Sequence, residues 1–329
     1  MKSIILQQAG GLETLRVQEY PDIKPMPGMI TIDVAYAGVG YVDVLLRRGD
    51  FGPIVPFPII PGLEVSGYVR EIGEGVEGFY VGQPVAAMTL STFGGYASIV
   101  QSRPEFTIPL DQAGAEMDMA TAAALLVNLA TAYIACKQVA KVQPGDQVLI
   151  HGAVGGLGSY LGQVAKWLGA GSVFGTVGHP DKIRHAEKFG YDELFVRSDF
   201  VNQIQQVTKQ QGVHAVFDPV GGEMRKQSLE VLRPFGQLVI VGNASGQADV
   251  AQSSNELWIR NKTVAGFALG EYSRFAPNEV GKVARESLQL IAKHGIHTEI
   301  SGIYPLEKAS EAHALLEAGN TIGKLLLQM

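Results

Sequence analysis

The chain has 329 residues, 46% of them hydrophobic and 18% charged, with 26 basic against 32 acidic side chains and a formal charge of −6. At about 150 residues per domain that length predicts about two domains, and there is no net basic field to draw in a nucleic-acid backbone. The single cysteine, Cys136, excludes an intramolecular disulfide and any zinc site needing two thiolates, and suits a reducing compartment.

The first residues, MKSIILQQAGG, read as a strand entering a turn, with no leader or membrane segment. Up to about residue 115, short β-rich runs at 30–36, 64–72 and 84–88 lie between Gly and Pro clusters at 25–28 and 52–62, which predicts an all-β domain. The apolar-rich stretch 119–136 is interrupted by Thr121, Asn128 and Thr131, and is expected to be a buried helix. From about 120 onward strands at 147–151, 172–177, 215–218 and 237–241 alternate with helices at 156–168, 180–189 and 223–232. That alternation predicts a parallel, doubly wound sheet and an α/β fold class. After 262 come a β-like run, a helix at 278–294, a short helix at 306–317 and a run at 324–328. This tail has no βα repeat of its own and is expected to rejoin the first domain.

The strongest motif is the loop after the strand at 147–151. Ala153-x-Gly155-x-x-Gly158 is the dinucleotide fingerprint with its first glycine replaced by alanine. Gly155 lets the backbone approach a pyrophosphate, Gly158 lets the helix pack on the sheet, and the helix N-terminus offers N–H groups and positive dipole. A tight turn without a ligand is the plainer alternative.

An NAD site carries an acidic residue at the end of the next strand, about 20 residues on, to bind the ribose hydroxyls. Here Gly178 and His179 stand there, followed by Asp181 and Lys182, with Arg197 after the following strand. Lys182 and Arg197 are candidates for a 2′-phosphate, so NADPH is expected over NADH. For either residue an ordinary solvated charge is the alternative. A second glycine-rich strand end offers Gly242 and Asn243 to the nicotinamide half of such a cofactor, and Asp218-Pro219-Val220-Gly221-Gly222 reads as another strand end lining the crevice, with a plain turn the equal alternative.

Together with Gly38-Val39-Gly40-Tyr41-Val42-Asp43, Arg47-x-Gly49, Pro61-Gly62-x-Glu64-x-x-Gly67-x-Val69, Gly94-Gly95-Tyr96-Ala97 and Thr131-Ala132-Tyr133, these motifs resemble the medium-chain dehydrogenase/reductase superfamily, in its zinc-independent quinone oxidoreductase (zeta-crystallin-like) branch. The resemblance implies a GroES-like β-rich domain over 1–122 and 266–329, and a Rossmann NADPH-binding domain over 123–265. It carries over Thr131, Ala153, Gly155, Gly156, Leu157, Gly158, Gly178, His179, Lys182, Arg197, Gly242 and Asn243 as cofactor-binding. Zinc-dependent relatives hold their catalytic metal with residues that here are Gly40, Leu63 and about Val127, and those side chains offer no ligand, so no metal is expected.

The activity implied is zinc-independent hydride transfer from NADPH to a quinone or similarly electron-poor acceptor. Tyr41, Asp43, Arg47, Phe51 and Asn128 are the candidate catalytic pocket residues, with Tyr41 a conceivable proton donor. A structural ion pair between Asp43 and Arg47, and a core role for Tyr41, are the alternatives. The branch usually has Asn at the position of Gly40, and Leu45 and Phe51 replace tyrosines. Alternative functions are an NADPH-dependent enal, enone or enoyl-thioester reductase, and a non-enzymatic NADPH-binding protein with a structural or RNA-binding role. The expected partners are a small-molecule acceptor and a second copy of the chain, paired through an edge strand in 257–268 with Trp258, Val264 and Phe267; a cytoplasmic location is expected.

Overall fold

Gly, Pro and other turn residues cut the first third of the chain into short strands: β1 (Lys2–Ile4), β2 (Val17–Glu19), β3 (Ile30–Val39), β4 (Glu64–Ile72), β5 (Pro84–Met88), β6 (Ile99–Ser102) and β7 (Thr107–Pro109). The structure, a computed structural model, describes residues 1–90, 92–112 and 117–329. Helix α1 (Tyr41–Arg48) interrupts the strands. Its start is fixed by the Asp43 carboxylate, which accepts the Gly40 N–H at 2.8 Å, and its end by Gly49 in the left-handed region. Helix α2 (Met119–Ile134) follows.

The middle of the chain supplies β8 (Gln147–His151), α3 (Gly158–Trp167), β9 (Ser172–Val177), β10 (Glu193–Val196), α4 (Phe200–Val207), β11 (Val213–Asp218), α5 (Met224–Glu230), β12 (Leu232–Ile240), α6 (Ser254–Ile259) and β13 (Thr263–Gly266). The tail supplies α7 (Leu269–Phe275), α8 (Pro277–His294), β14 (Ile300–Pro305), α9 (Ala309–Glu317) and β15 (Lys324–Gln328).

These elements form two compact units, Met1–Ala130 with Leu269–Met329, and Thr131–Ala268. In the first, β15 pairs antiparallel with β3, placing the tail in the order β14-β15-β3-β4-β5-β7, with β6 also on β3. Ile30, Ile32, Val65, Val85, Tyr96, Leu325 and Leu327 fill its core. The second unit is a six-stranded parallel sheet in the order β10-β9-β8-β11-β12-β13. Its strand order reverses between β8 and β11, so the carboxyl ends of those two strands flank the crevice where such sheets bind ligands.

Two expected elements differ. Residues 180–189 form short 3₁₀ turns (Pro180–His185 and Glu187–Phe189) instead of an α-helix. Almost all of that segment except Phe189 is exposed or half-exposed, so no apolar stripe packs down to impose the α-helical period. Trp258 lies on α6, not on an edge strand. Ser253 caps that helix by accepting the Glu256 N–H at 3.3 Å, leaving only Thr263–Gly266 as strand. Among the described residues one helical stretch, Met119–Val139, is long and apolar enough to cross a membrane, and 67% of its apolar window is buried within the protein, as in a core helix.

Candidate functional site

In the second unit, β8 ends at His151 and the chain turns through Gly152 to Leu157 before α3 begins. Gly155 N–H donates to Gly152 O at 3.0 Å and Ser159 N–H to Gly155 O at 2.9 Å. Glycine is required at 158, because a Cβ there would lie 2.2 Å from Gly152 O and 2.7 Å from Ala153 O. The buried Tyr191 donates its hydroxyl to Gly158 O at 2.6 Å and pins the same point from the sheet side. A Cβ at Gly155 would meet only Gly152 O, at 3.3 Å. The loop therefore presents bare backbone at the N-terminus of α3, which is the cradle a pyrophosphate needs.

At the end of β9 the site stays open, since a Cβ at Gly178 would meet nothing within 4 Å. Asp181 is turned to His179, 3.2 Å away, and both are exposed. Lys182 and Arg197 lie near enough for Arg197 to disfavour the charge on Lys182, adding to the effect of burial. Burial disfavours the Arg197 charge too, with Asp218 opposing it, and Arg197 Nε is buried without a hydrogen-bond partner. Two partly desolvated cations thus follow the carboxyl ends of the neighbouring strands β9 and β10.

Across the crevice, the buried Asp218 carboxylate accepts the N–H groups of Val220 and Gly221 at 2.8 and 3.0 Å. Gly242 O accepts from Arg225 at 3.2 Å, and Asn243 Oδ1 is buried without a hydrogen-bond partner. His151 is fully buried between Thr176 Oγ1 and Ser228 Oγ, both at 2.9 Å, and burial pushes it down to about 3, so it is a neutral structural histidine.

In the first unit the candidate pocket residues separate into two kinds. Tyr41 and Phe51 are half-buried, and Asn128 keeps a buried Nδ2 without a hydrogen-bond partner. Asp43 and Arg47 do not pair with each other, contrary to the structural alternative. The Asp43 carboxylate accepts Gly40 N–H and Gly62 N–H, each at 2.8 Å, while Arg47 pairs with Glu317 at 2.8 Å. Helical spacing of four residues puts both on one face, but each meets a different neighbour. Behind them Tyr96 OH lies 3.0 Å from His313 Nε2. Burial pushes Asp43 up to about 6 and, with the Arg47 charge, His313 down to about 3.

The profile of the alcohol dehydrogenase GroES-like domain matches residues 26–112, and that of the zinc-binding dehydrogenase domain matches 156–295. A probable quinone oxidoreductase of Schizosaccharomyces pombe is 31% identical, over 99% of this chain and 97% of its own length. The chain belongs to the medium-chain dehydrogenase/reductase family, in its quinone oxidoreductase branch. A 2-haloacrylate reductase of Burkholderia is 30% identical, over 98% of this chain and 97% of its own length. The quinone oxidoreductase of Escherichia coli, solved in complex with NADPH, matches with a TM-score of 0.91 and 28% identity, covering 100% of each chain. The fold is thus that of a medium-chain dehydrogenase/reductase, a GroES-like domain with a Rossmann-type domain.

Within this family frame, Gly40, Leu63 and Val127 carry no metal-binding atoms on their side chains. Sequence reasoning missed Gly175 and Tyr191, which shape the glycine loop, and Lys324, whose partner Glu64 lies far away in sequence. Residues this far apart leave no local pattern to read.

Proposed function

We propose that this medium-chain dehydrogenase/reductase is an NADPH-dependent reductase, passing a hydride to a quinone or similarly electron-poor acceptor without zinc. The observation that carries the cofactor choice is the pair Lys182 and Arg197 beside the open Gly178, where an NAD site holds a carboxylate. NADPH, when bound, supplies the hydride. The protein's part is to hold the pyrophosphate on Ala153, Gly155, Gly156, Leu157 and Gly158, and the 2′-phosphate on Lys182 and Arg197, with Gly178 and His179 beside it. Gly242, Asn243 and Thr131 are assigned to the nicotinamide half. Tyr41, Phe51 and Asn128 line the acceptor pocket in this reading, while Asp43 and Arg47 hold α1 in place through their own partners.

A second reading, reduction of an activated alkene, draws support from the likeness to the 2-haloacrylate reductase. The protein is proposed to act in the cytoplasm as a homodimer joined along β13, the edge of its parallel sheet. NADPH oxidation with phenanthrenequinone, 2-alkenals and crotonyl-CoA tests the proposal. Turnover fastest with the quinone is expected; turnover with the alkenes alone favours the second reading. Tight NADPH binding with no turnover on any acceptor would leave only a binding protein.

A further inference from the structure

Gly40 is the partly exposed residue between β3 and α1, and it has no side chain to cover what lies behind it. A Cβ added there would stand 3.8 Å from Lys324 Nζ and 3.5 Å from Asp43 Oδ2. Lys324, the first residue of β15, has a side chain only 6% exposed, and its ammonium lies 2.5 Å from Glu64 Oε1. Glu64 is itself buried, and its other oxygen accepts the Val127 N–H of α2 at 2.9 Å. One residue further along α2 is Asn128, whose buried Nδ2 has no hydrogen-bond partner.

The ammonium of β15 is therefore faced by two buried carboxylates, Asp43 of α1 and Glu64 of β4, and Glu64 is held in turn by α2. A buried ion pair seldom stabilises a fold more than apolar packing of the same volume, so stability alone is a poor account of this centre. What distinguishes it is access: Gly40, which is partly exposed, stands over the ammonium and has no side chain to cover it.

We propose that Lys324, held in place by Glu64, is a catalytic residue that receives the acceptor's oxygen over Gly40. The proposal rests on the reductase reading given above. When a hydride reaches a quinone, two electrons enter the ring, the donor is oxidised, and the product is a hydroquinone monoanion with its negative charge on oxygen. A fixed ammonium stabilises that oxyanion more than the neutral carbonyl, which is the condition for catalysis, and a proton from water completes the hydroquinone.

The test uses para-nitrophenol, whose phenolate mimics the oxyanion and absorbs in the visible. Bound to the wild-type protein, the phenol is expected to ionise about one pH unit or more below its free value. Lys324→Met combined with Glu64→Gln, which removes both charges of the ion pair and leaves Asp43 held by the Gly40 and Gly62 N–H groups, is expected to abolish that shift, and Lys324→Arg to retain it. Quinone turnover in the double variant is expected to fall about 100-fold with NADPH affinity unchanged. Gly40→Ala provides a variant that folds: the backbone at φ −109° and ψ 157° suits alanine and the added methyl makes only ordinary contacts. It is expected to weaken nitrophenolate binding without moving the melting temperature. Equal ionisation midpoints in the wild type and the double variant, or no nitrophenolate binding by the wild type, would overturn the proposal. Failure of the reductase reading shows separately, as absence of NADPH oxidation by the wild type with every acceptor.

Discussion

Ala153 fills the space that Gly175 leaves open, for a Cβ on Gly175 would lie 2.6 Å from that of Ala153. The alanine in the first position of the glycine fingerprint is thus accommodated by the neighbouring strand, and the loop keeps its turn. Gly175→Ala is expected to destabilise the protein by about 1–3 kcal/mol through overpacking. Adding Ala153→Gly should recover part of the loss, since Leu194 Cδ2 at 2.6 Å and Tyr191 Cε1 at 2.8 Å still crowd the new methyl. Urea unfolding of the three proteins checks this, and equal midpoints for wild type and Gly175→Ala would contradict it.

Lys182 and Arg197 give a sharper test of the cofactor. Each charge-assisted hydrogen bond to a phosphate is worth about 1.5–3 kcal/mol, so removing one residue should weaken NADPH binding about tenfold or more. Lys182→Ala and Arg197→Ala are both expected to leave NADH affinity unchanged. Fluorescence titration with the two nucleotides measures the ratio, and a wild-type ratio near one would defeat the 2′-phosphate assignment.

The buried titrating groups predict how stability depends on pH. Burial holds His151 and His313 at about 3, below the 6.5 of an exposed histidine. Their contribution as neutral groups is complete above pH 6.5 and is lost as the pH falls toward 3, at about 1.4 kcal/mol per pH unit each. Asp43, pushed up to about 6, acts in the opposite sense: its contribution is complete below its ordinary value of 3.8 and is lost as the pH rises through 6. His151→Gln, which does not titrate, should therefore reduce the acid loss of stability between about pH 6 and pH 4 by about 1.4 kcal/mol per unit. Denaturant melts at several pH values measure the slope, and an unchanged slope refutes the assignment of a neutral His151.

Arg47 is 2% exposed, its Nε and Nη1 are buried without hydrogen-bond partners, and among the described residues its ion-pair partner is Glu317. Glu317→Gln leaves that guanidinium buried without its ion-pair partner, with the longer-range Glu13 charge near it, and takes the partner of Arg48 as well. The expected cost is about 3–5 kcal/mol of stability, with a lowered melting temperature. A loss below about 1 kcal/mol, typical of a surface pair, would show that water reaches Arg47.

How far the sequence could be read follows from where each signal is stored. β8 and β9 carry continuous apolar runs because both faces of a parallel sheet are covered, and their limits agree with the expected 147–151 and 172–177. The glycine loop is legible because its chemistry is contiguous. Helix α1 was not singled out, since its start depends on one carboxylate folding back on Gly40. Helical reading fails at 180–189 for want of a packed face. The Tyr96–His313 contact and the Lys324–Glu64 pair join residues more than 200 positions apart, and no periodicity connects them.

The edge strand β13 is expected to join two chains. It ends the parallel sheet beside β12, and Phe235, Trp258 and Ile259 of the same unit are 85%, 76% and 70% exposed. Unpaired backbone groups along an edge favour addition of another strand, and large exposed apolar side chains favour burial against a second copy. A symmetric pairing brings β13 of one chain against β13 of its partner, so each substitution acts twice across the interface. Trp258→Glu with Ile259→Glu should shift the protein from dimer to monomer at micromolar concentration, measured by light scattering. A wild type that is monomeric across that range would eliminate the dimer proposal. A double variant that remains dimeric would place the interface elsewhere on the molecule.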